Sequence, residues 1–543
     1  MRKGVKAALV GGVFTVMVGG AGYGAYNLVN GVTGDGGSPG SESAEVKSGP
    51  PTDDEVRETA AKFLAAWADG DARQAAAYTN NSGEAAAALT GFREDAHLTK
   101  AKLVPEKASG ARVPFSVSTT VSYKGKSKPF AYDSQLTVVR GKTTGRALVD
   151  WSPAVVHPSL EKGDTLVTGE AATPPIQAVD RAGTVLRKKD YPSLVPLLDA
   201  LREKYGESAG GKPGVELYVE RANEDAGSRT LLTLAQGRPG KLRTTLSAGT
   251  QKAAEQAVLR SDESSVVAVK PSTGEILAVA NNRKDAFNAA FLGTSPPGST
   301  MKIVSAAMLI DKGVTKASGP APCPASATWQ SQTFNNLKGM TPNESATFSE
   351  DFARSCNTAF VKLIDEDGVS DASLSEQARN NFGLGRGDWK VGVPTFDGRI
   401  PESTGPNRAA NAIGQGEVQM NPLNMASVTA TAMTGAFHQP VIVPASLDDR
   451  DLATAQGLRA STVQQLRQMM NRTAVSGTGA RAMAGLGSDV GAKTGSAEID
   501  GHETSDSWFT GYRGDVAAAA MAERGGHGGD SAGPIVAAVL GAG

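Results

Sequence analysis

Histidine and cysteine are scarce in this chain. Its 543 residues include five histidines, His97, His157, His438, His502 and His527, and two cysteines, Cys323 and Cys356. No two histidines stand at metal-ligand spacing and neither cysteine lies near one, so no zinc site is expected. No other metal or cofactor motif appears, and none is predicted. Charge of one sign is also lacking. Lysine plus arginine number 55 against 56 acidic residues, a net charge of -1, so nothing calls for a nucleic-acid partner. No internal repeat is evident. Hydrophobic content of 40% and charged content of 20% are near the globular average, and the length suggests roughly three domains.

The texture changes along the chain. Arg2, Lys3 and Lys6 precede twenty uncharged residues, 7 to 26. That length can span a bilayer, and the basic flank would stay cytoplasmic, so the remainder is expected outside. Six glycines in the stretch keep a cleaved signal peptide open as an alternative. Residues 1–30 are therefore read as a single membrane anchor or signal, and the Gly/Ser/Pro-rich residues 31–52 as a flexible linker.

Residues 53–155 read as a small α+β domain. An Ala-rich helical stretch places Phe63, Leu64 and Trp67 at helical spacing, and alternation from Val113 to Val149 predicts antiparallel sheet. A linking domain is expected over 156–245, with strand signals at "PIQAVD" and "VELYVE". From residue 246 onward "SSVVAVKPSTGEILAVAN" predicts two strands about a turn at Pro271 to Gly274, and a helix follows "PPG" near Ser299.

That helix carries the first chemical signal. Ser299 and Lys302, three residues apart, share a face. Ile303, Val304, Met308 and Leu309 suggest a desolvated setting, which lowers a lysine pKa and lets an amine act as base toward a hydroxyl. Alone this is weak, because Ser159 and Lys162 have the same spacing in what reads as a charged surface turn. Two further motifs change the weighing. Ser355-Cys356-Asn357 is the only Ser-x-Asn, and Lys493-Thr494-Gly495 the only Lys-Thr-Gly, 56 and 194 residues beyond Ser299. This trio marks serine β-lactamases and penicillin-binding proteins. The segment 489–499 and the "SDSWFTGYRG" that follows read as adjacent antiparallel strands.

Residues 246–543 resemble the transpeptidase domain of class B penicillin-binding proteins, through "PPGSTMK", "SCNTAF" and "AKTGSAE". "AIGQGEVQMNPLNMA", "TAVSGTGARA" and "WFTGY" are similar to the family's intervening segments. Residues 53–155 resemble the nuclear-transport-factor-2-like domain of low-affinity, resistance-type members. "PPIQAVDRAGTVL" resembles the family's Arg-Gly-x-Ile-x-Asp-Arg-x-Gly segment at Asp180, Arg181 and Gly183, but Pro175-Ile176 replace the Arg-Gly pair and Ala178 the isoleucine. No glycosyltransferase domain is found.

The resemblance implies an α+β multidomain protein whose C-terminal domain has a central antiparallel sheet flanked by helices. It implies a D,D-transpeptidase that cross-links peptidoglycan stem peptides through an acyl-Ser299 intermediate and binds β-lactams covalently. Catalytic residues would be Ser299, Lys302, Ser355, Asn357 and Lys493, with Thr494, Gly495 and Ser496 binding substrate. Lys493 is expected as a second cation that keeps Lys302 neutral and attracts a carboxylate. The N-terminus would tie the protein to the cell membrane, with the catalytic domain on the extracytoplasmic side; membership of a cell-wall synthesis complex stays open. A D,D-carboxypeptidase or β-lactamase shares the chemistry with water as acceptor, and a non-catalytic β-lactam receptor or scaffold would keep the motifs as a binding site. A Ser-His-Asp hydrolase fits poorly, since no histidine adjoins the motifs. For Cys323 and Cys356 two readings stay open: buried thiols, or a disulfide worth roughly 4 kcal/mol on the chain-entropy model.

Overall fold

A computed structural model describes residues 48–171, 173–223, 227–499 and 503–543. The expected anchor and most of the linker lie outside them. Among the described residues no helix is long and apolar enough to cross a membrane.

The first helix, α1 (Asp53–Ala68), starts at a capping box in which Thr52 and Glu55 exchange side-chain and backbone bonds. The Ala-rich stretch read as one helical region breaks twice. Asp71 caps α2 (Ala72–Ala76) and Asn81 caps α3 (Ser82–Glu94), each accepting from a backbone N–H three residues on. These helices pack on an antiparallel sheet in the order β1 (Leu98–Pro105), β2 (Arg112–Tyr123), β3 (Lys126–Arg140), β4 (Ala147–Val149). Phe63, Trp67, Phe92 and Phe115 meet edge-on or tilted in the core between them.

Residues beyond this sheet divide between two cores. The three-stranded sheet β5 (Thr165–Glu170), β7 (Val215–Glu220), β8 (Arg229–Ala235) sends Leu166, Leu217, Val219 and Leu234 into the first core. The parallel pair β6 (Ile176–Val179) and β9 (Gly240–Arg243), with α4 (Val195–Tyr205), packs into the large C-terminal core instead.

The C-terminal part is built on a five-stranded antiparallel sheet. Its order is β11 (Ile276–Asn282), β10 (Ser264–Val269), β16 (Val516–Ala522), β15 (Asp506–Arg513), β14 (Val490–Ala497). Both faces are covered, so every residue of β10 and β16 is buried. The two-residue period sorts the strands between two cores. Val266, Ala268, Ala518 and Ala520 pack with α5 (Ala248–Val258) and α11 (Ala532–Ala542). Val267, Val269, Ala517 and Ala519 join the core that holds α6 (Lys302–Asp311) and α9 (Pro422–Thr434). The alanines of β16 let helices approach closely, and such a tightly filled core leaves little freedom to what it supports.

Candidate active site

The helix expected from Ser299 begins later than the sequence suggested. Gly298–Met301 form a 3₁₀ turn, and the α-helix starts at Lys302. The turn is wedged between two backbones. Gly298 has φ 52°, and its N–H donates to the Gly414 carbonyl at 2.9 Å. A Cβ on Gly298 would lie 2.6 Å from the Ser496 carbonyl oxygen, and one on Gly414 would lie 1.8 Å from the Gly298 oxygen. Both positions therefore need glycine. Ser299 stays half-buried while its neighbours are closed off, which leaves its hydroxyl facing the cleft mouth.

Lys302 is fully buried. Its Nζ lies 3.0 Å from Ser299 Oγ, 2.6 Å from Asn357 Oδ1 and 2.9 Å from the Ser355 carbonyl. The last two groups are acceptors only and must take N–H bonds. A neutral amine has two N–H bonds and one lone pair, so the lone pair is left for the Ser299 hydroxyl. Burial pushes the Lys302 pKa well below the usual lysine range, and Lys493 pushes it the same way.

Ser355 and Asn357 bracket the junction between α7 (Phe348–Arg354) and α8 (Asn357–Leu363). Ser355 is in the left-handed region at φ 66°, an uncommon place for serine that reverses the chain and turns both side chains to Lys302. Asn357 is held by Asn336, whose Oδ1 accepts from its backbone N–H at 2.7 Å, and by the Asn335 carbonyl, which accepts from its Nδ2 at 3.0 Å.

Lys493 comes from β14 and is also fully buried. Its Nζ donates to Ser355 Oγ at 2.9 Å and to the Thr494 carbonyl at 3.0 Å. Burial lowers its pKa to about 7, so it is a cation only in the lower part of the neutral range, which qualifies the second cation expected from sequence. Lys302 sits 5.3 Å above the Phe360 ring and Lys493 5.6 Å above Phe352. Thr494 Oγ1 is 2.7 Å from Thr478 Oγ1. A Cβ on Gly495 would be 2.8 Å from the Pro297 carbonyl, so β14 lies directly against the nucleophile turn and brings Ser496 beside it.

All eight positions singled out in the sequence thus meet at one cleft. The decoy does not: Ser159 lies on a loop where its N–H donates to His157 Nδ1, and Lys162 is exposed. Sequence reading missed the rings beneath the two amines, the Asn335–Asn336 support, Thr478, and the buried acid Asp351. The helical spacing of Phe360 from Asn357 was a usable signal, and Thr478 lies within the "TAVSGTGARA" segment; Asn336 left none. Cys323 and Cys356 form a disulfide that ties the loop before β12 (Ser326–Trp329) to the Ser-Cys-Asn junction. A crevice of about 720 Å³ lies elsewhere, lined by Arg181, Lys270, Arg513 and Asp515.

The family described as Penicillin binding protein transpeptidase domain matches residues 264–541, and that described as NTF2-like N-terminal transpeptidase domain matches 55–164. Peptidoglycan D,D-transpeptidase PbpA of Mycolicibacterium smegmatis is 30% identical over 308 residues, 49% of this chain and 60% of the relative. The protein of that name from Mycobacterium tuberculosis is 29% identical over 257 residues, 40% of this chain and 50% of the relative. The matches thus span about half to three-fifths of these curated relatives. Among solved structures, the D,D-transpeptidase domain of a peptidoglycan glycosyltransferase from Eggerthella lenta superposes with a TM-score of 0.52 at 21% identity, covering 68% of this chain and 98% of that one. Penicillin-binding protein 3 of Mycobacterium tuberculosis gives 0.52 at 21%, covering 68% and 95%. These likenesses share the fold, and the residues that meet around Ser299 lie within the matched 264–541: the chain belongs to the class B penicillin-binding proteins, with a penicillin-binding transpeptidase domain behind an NTF2-like N-terminal domain.

Proposed function

We propose that the chain is a peptidoglycan D,D-transpeptidase acting through an acyl-Ser299 ester on stem peptides that end in D-Ala-D-Ala. One observation carries the reading: a buried amine whose two N–H bonds are taken by acceptors while its lone pair faces the Ser299 hydroxyl at 3.0 Å.

As Ser299 Oγ bonds to the carbonyl carbon of the penultimate D-alanine, its proton passes to Lys302 Nζ and the carbonyl π pair moves to oxygen. The Ser299 and Ser496 backbone N–H groups are the oxyanion donors that the family resemblance assigns. When the C–N bond breaks, the leaving amine takes a proton from Ser355 Oγ–H. Ser355 is resupplied by Lys493 at 2.9 Å or by Lys302 at 3.5 Å. Thr494 binds the terminal carboxylate, and Gly495, lacking a side chain, lets β14 lie against the nucleophile turn. An amine from a second stem peptide then attacks the ester, reversing these proton movements and completing the cross-link. β-Lactams present the same acyl bond and acylate the same serine. We also infer that residues 7–26 hold the protein in the cell membrane with the catalytic domain on the extracytoplasmic side, on the strength of an uncharged stretch of spanning length behind a basic flank.

Fluorescent penicillin is expected to label the purified chain, and Ser299→Ala to abolish the label. A stem pentapeptide should lose D-alanine and, with an amine acceptor, yield the cross-linked product. Labelling that survives in Ser299→Ala refutes the assignment.

A further inference from the structure

Asp351 has no task in the mechanism above. It lies in the first turns of α7, with no exposed surface, and neither carboxyl oxygen has a hydrogen-bond partner. Its carboxyl is packed against the Cys323 and Cys356 sulfurs, within 4.8 Å, and these accept hydrogen bonds poorly. A dry, unpartnered carboxyl costs several kcal/mol to bury when ionised and is costly even when neutral. A negative group near a helix start returns only about 0.3–1 kcal/mol, so the helix does not account for it. Such a group, kept against its own cost beside a reactive cleft, is one to examine for a functional task.

Two cations act on its carboxyl, Arg354 the more strongly and Lys302 the less. On its own helix stand Glu350 and Arg354. Glu350 is occupied by Arg472 of α10 (Ala460–Val475) at 3.0 Å, and Arg467 of the same helix turns toward Asp489. Arg354 donates to the Thr341 carbonyl. Lys302 of α6 reaches the same junction, its Nζ bonded to the Ser355 carbonyl and to Asn357 Oδ1 on either side of the Cys356 that the carboxyl touches, and Asp351 raises its proton affinity while burial and Lys493 lower it. We propose, resting on the transpeptidase reading, that Asp351 is a positioning residue: its carboxylate steadies the ammonium that Lys302 becomes on taking the Ser299 proton. Without Asp351, burial and the Lys493 amine would oppose that proton and no carboxylate would favour it. No proton needs to reach Asp351. Burial pushes its own carboxyl up to about 7, so it becomes an anion toward the upper neutral range.

The test measures acylation of the purified full chain by fluorescent penicillin from about pH 5 to about pH 9, the range in which such groups titrate. Asp351→Asn keeps the shape and removes the charge; Asp351→Leu fills the space with apolar atoms. Both are expected to acylate about tenfold more slowly near neutral pH, because the base then holds the serine proton less well. The acid limb of the profile should move to lower pH, because Lys302 then holds its proton less well. Asp351→Leu should unfold at the same temperature as wild type or higher, since an apolar replacement removes a desolvation cost. Two results overturn the proposal: profiles that coincide with wild type, or variants that both fail to fold, which would make the acid structural. An unlabelled wild-type chain, or a labelled Ser299→Ala, instead sinks the transpeptidase reading beneath it.

Discussion

Gly414→Ala probes whether the nucleophile turn is held by backbone contact alone. Gly414 has φ 81°, which a side-chain-bearing residue adopts at a cost of about 1–2 kcal/mol. The steric cost is greater. The new Cβ would stand 1.8 Å from the Gly298 oxygen, 2.5 Å from its carbon and 2.9 Å from Met301 Cβ. Restoring ordinary contact needs the two backbones to part by about 1.5 Å, since carbon–oxygen contacts settle above 3 Å. The turn has nowhere to retreat, because Gly298 already abuts Ser496 on its other side. Ser299 must therefore shift relative to Lys302, and a 1 Å misplacement costs about a hundredfold in rate. The expected result is acylation by fluorescent penicillin slowed about a hundredfold, with a lower Tm. Gly485→Ala is the control: it has φ 84° but open space at the Cβ position. It should lose a little stability and acylate normally. If Gly414→Ala acylates within threefold of wild type, the clamp does not position the serine.

Two predictions concern pH. Lys493 loses its proton near pH 7 in the free protein, so kcat/KM for acylation should fall above about 7, while kcat should hold to higher pH because a bound carboxylate favours the ammonium; a flat alkaline side would mean that the charge on Lys493 is not needed. His157 is buried against Tyr132 and Phe130, accepts from the Ser159 N–H at Nδ1, and has its pKa pushed down to about 4, first by burial and then by Arg229. The unfolded chain takes up that proton near 6.5 and the folded one only near 4. Its share of stability is therefore complete above 6.5 and lost as pH falls to about 4, some 3 kcal/mol in all. Urea unfolding of the NTF2-like part across that window checks this, and His157→Phe should flatten the loss.

The motifs were legible because each is short, local and chemically unusual. Ser299 to Lys302 is a helical spacing, and a lysine among Ile303, Val304 and Met308 announces desolvation. Sequence also showed the sheet alternation in β2 and β3, which have one face in the core. β10 and β16 are buried throughout, so they present apolar runs that fix a strand but not its place in the sheet order. The 3₁₀ turn was missed because "PPG" signals a helix start without saying whether the first turn is tight. The disulfide stayed undecided because pairing depends on the 6.3 Å between Cα atoms 33 residues apart. The even spread of residues 160–245 over two cores left no local mark, since an amphipathic strand does not reveal which neighbour it covers.

Proton bookkeeping in the cleft explains why three such costly groups lie together. Lys302 and Lys493 are both fully buried, and each donates one N–H bond to Ser355, Lys302 to its carbonyl and Lys493 to its Oγ. Were both charged, like charges would stand in a dry site with Ser355 as their shared partner, so the two titrate against each other and the pair favours a single proton. With that proton on Lys493, the lone pair of Lys302 is free for Ser299, which is the state that attacks. Once Lys302 takes the serine proton, the pair is briefly doubly charged, and relief comes from sending one proton through Ser355 to the leaving amine. Opposing amines thus drive the second half of the acylation, while a carboxylate behind Lys302 keeps the first half within reach. Removing Lys493 should then slow departure of the amine more than attack on a strained lactam, whose ring opens without releasing a separate fragment.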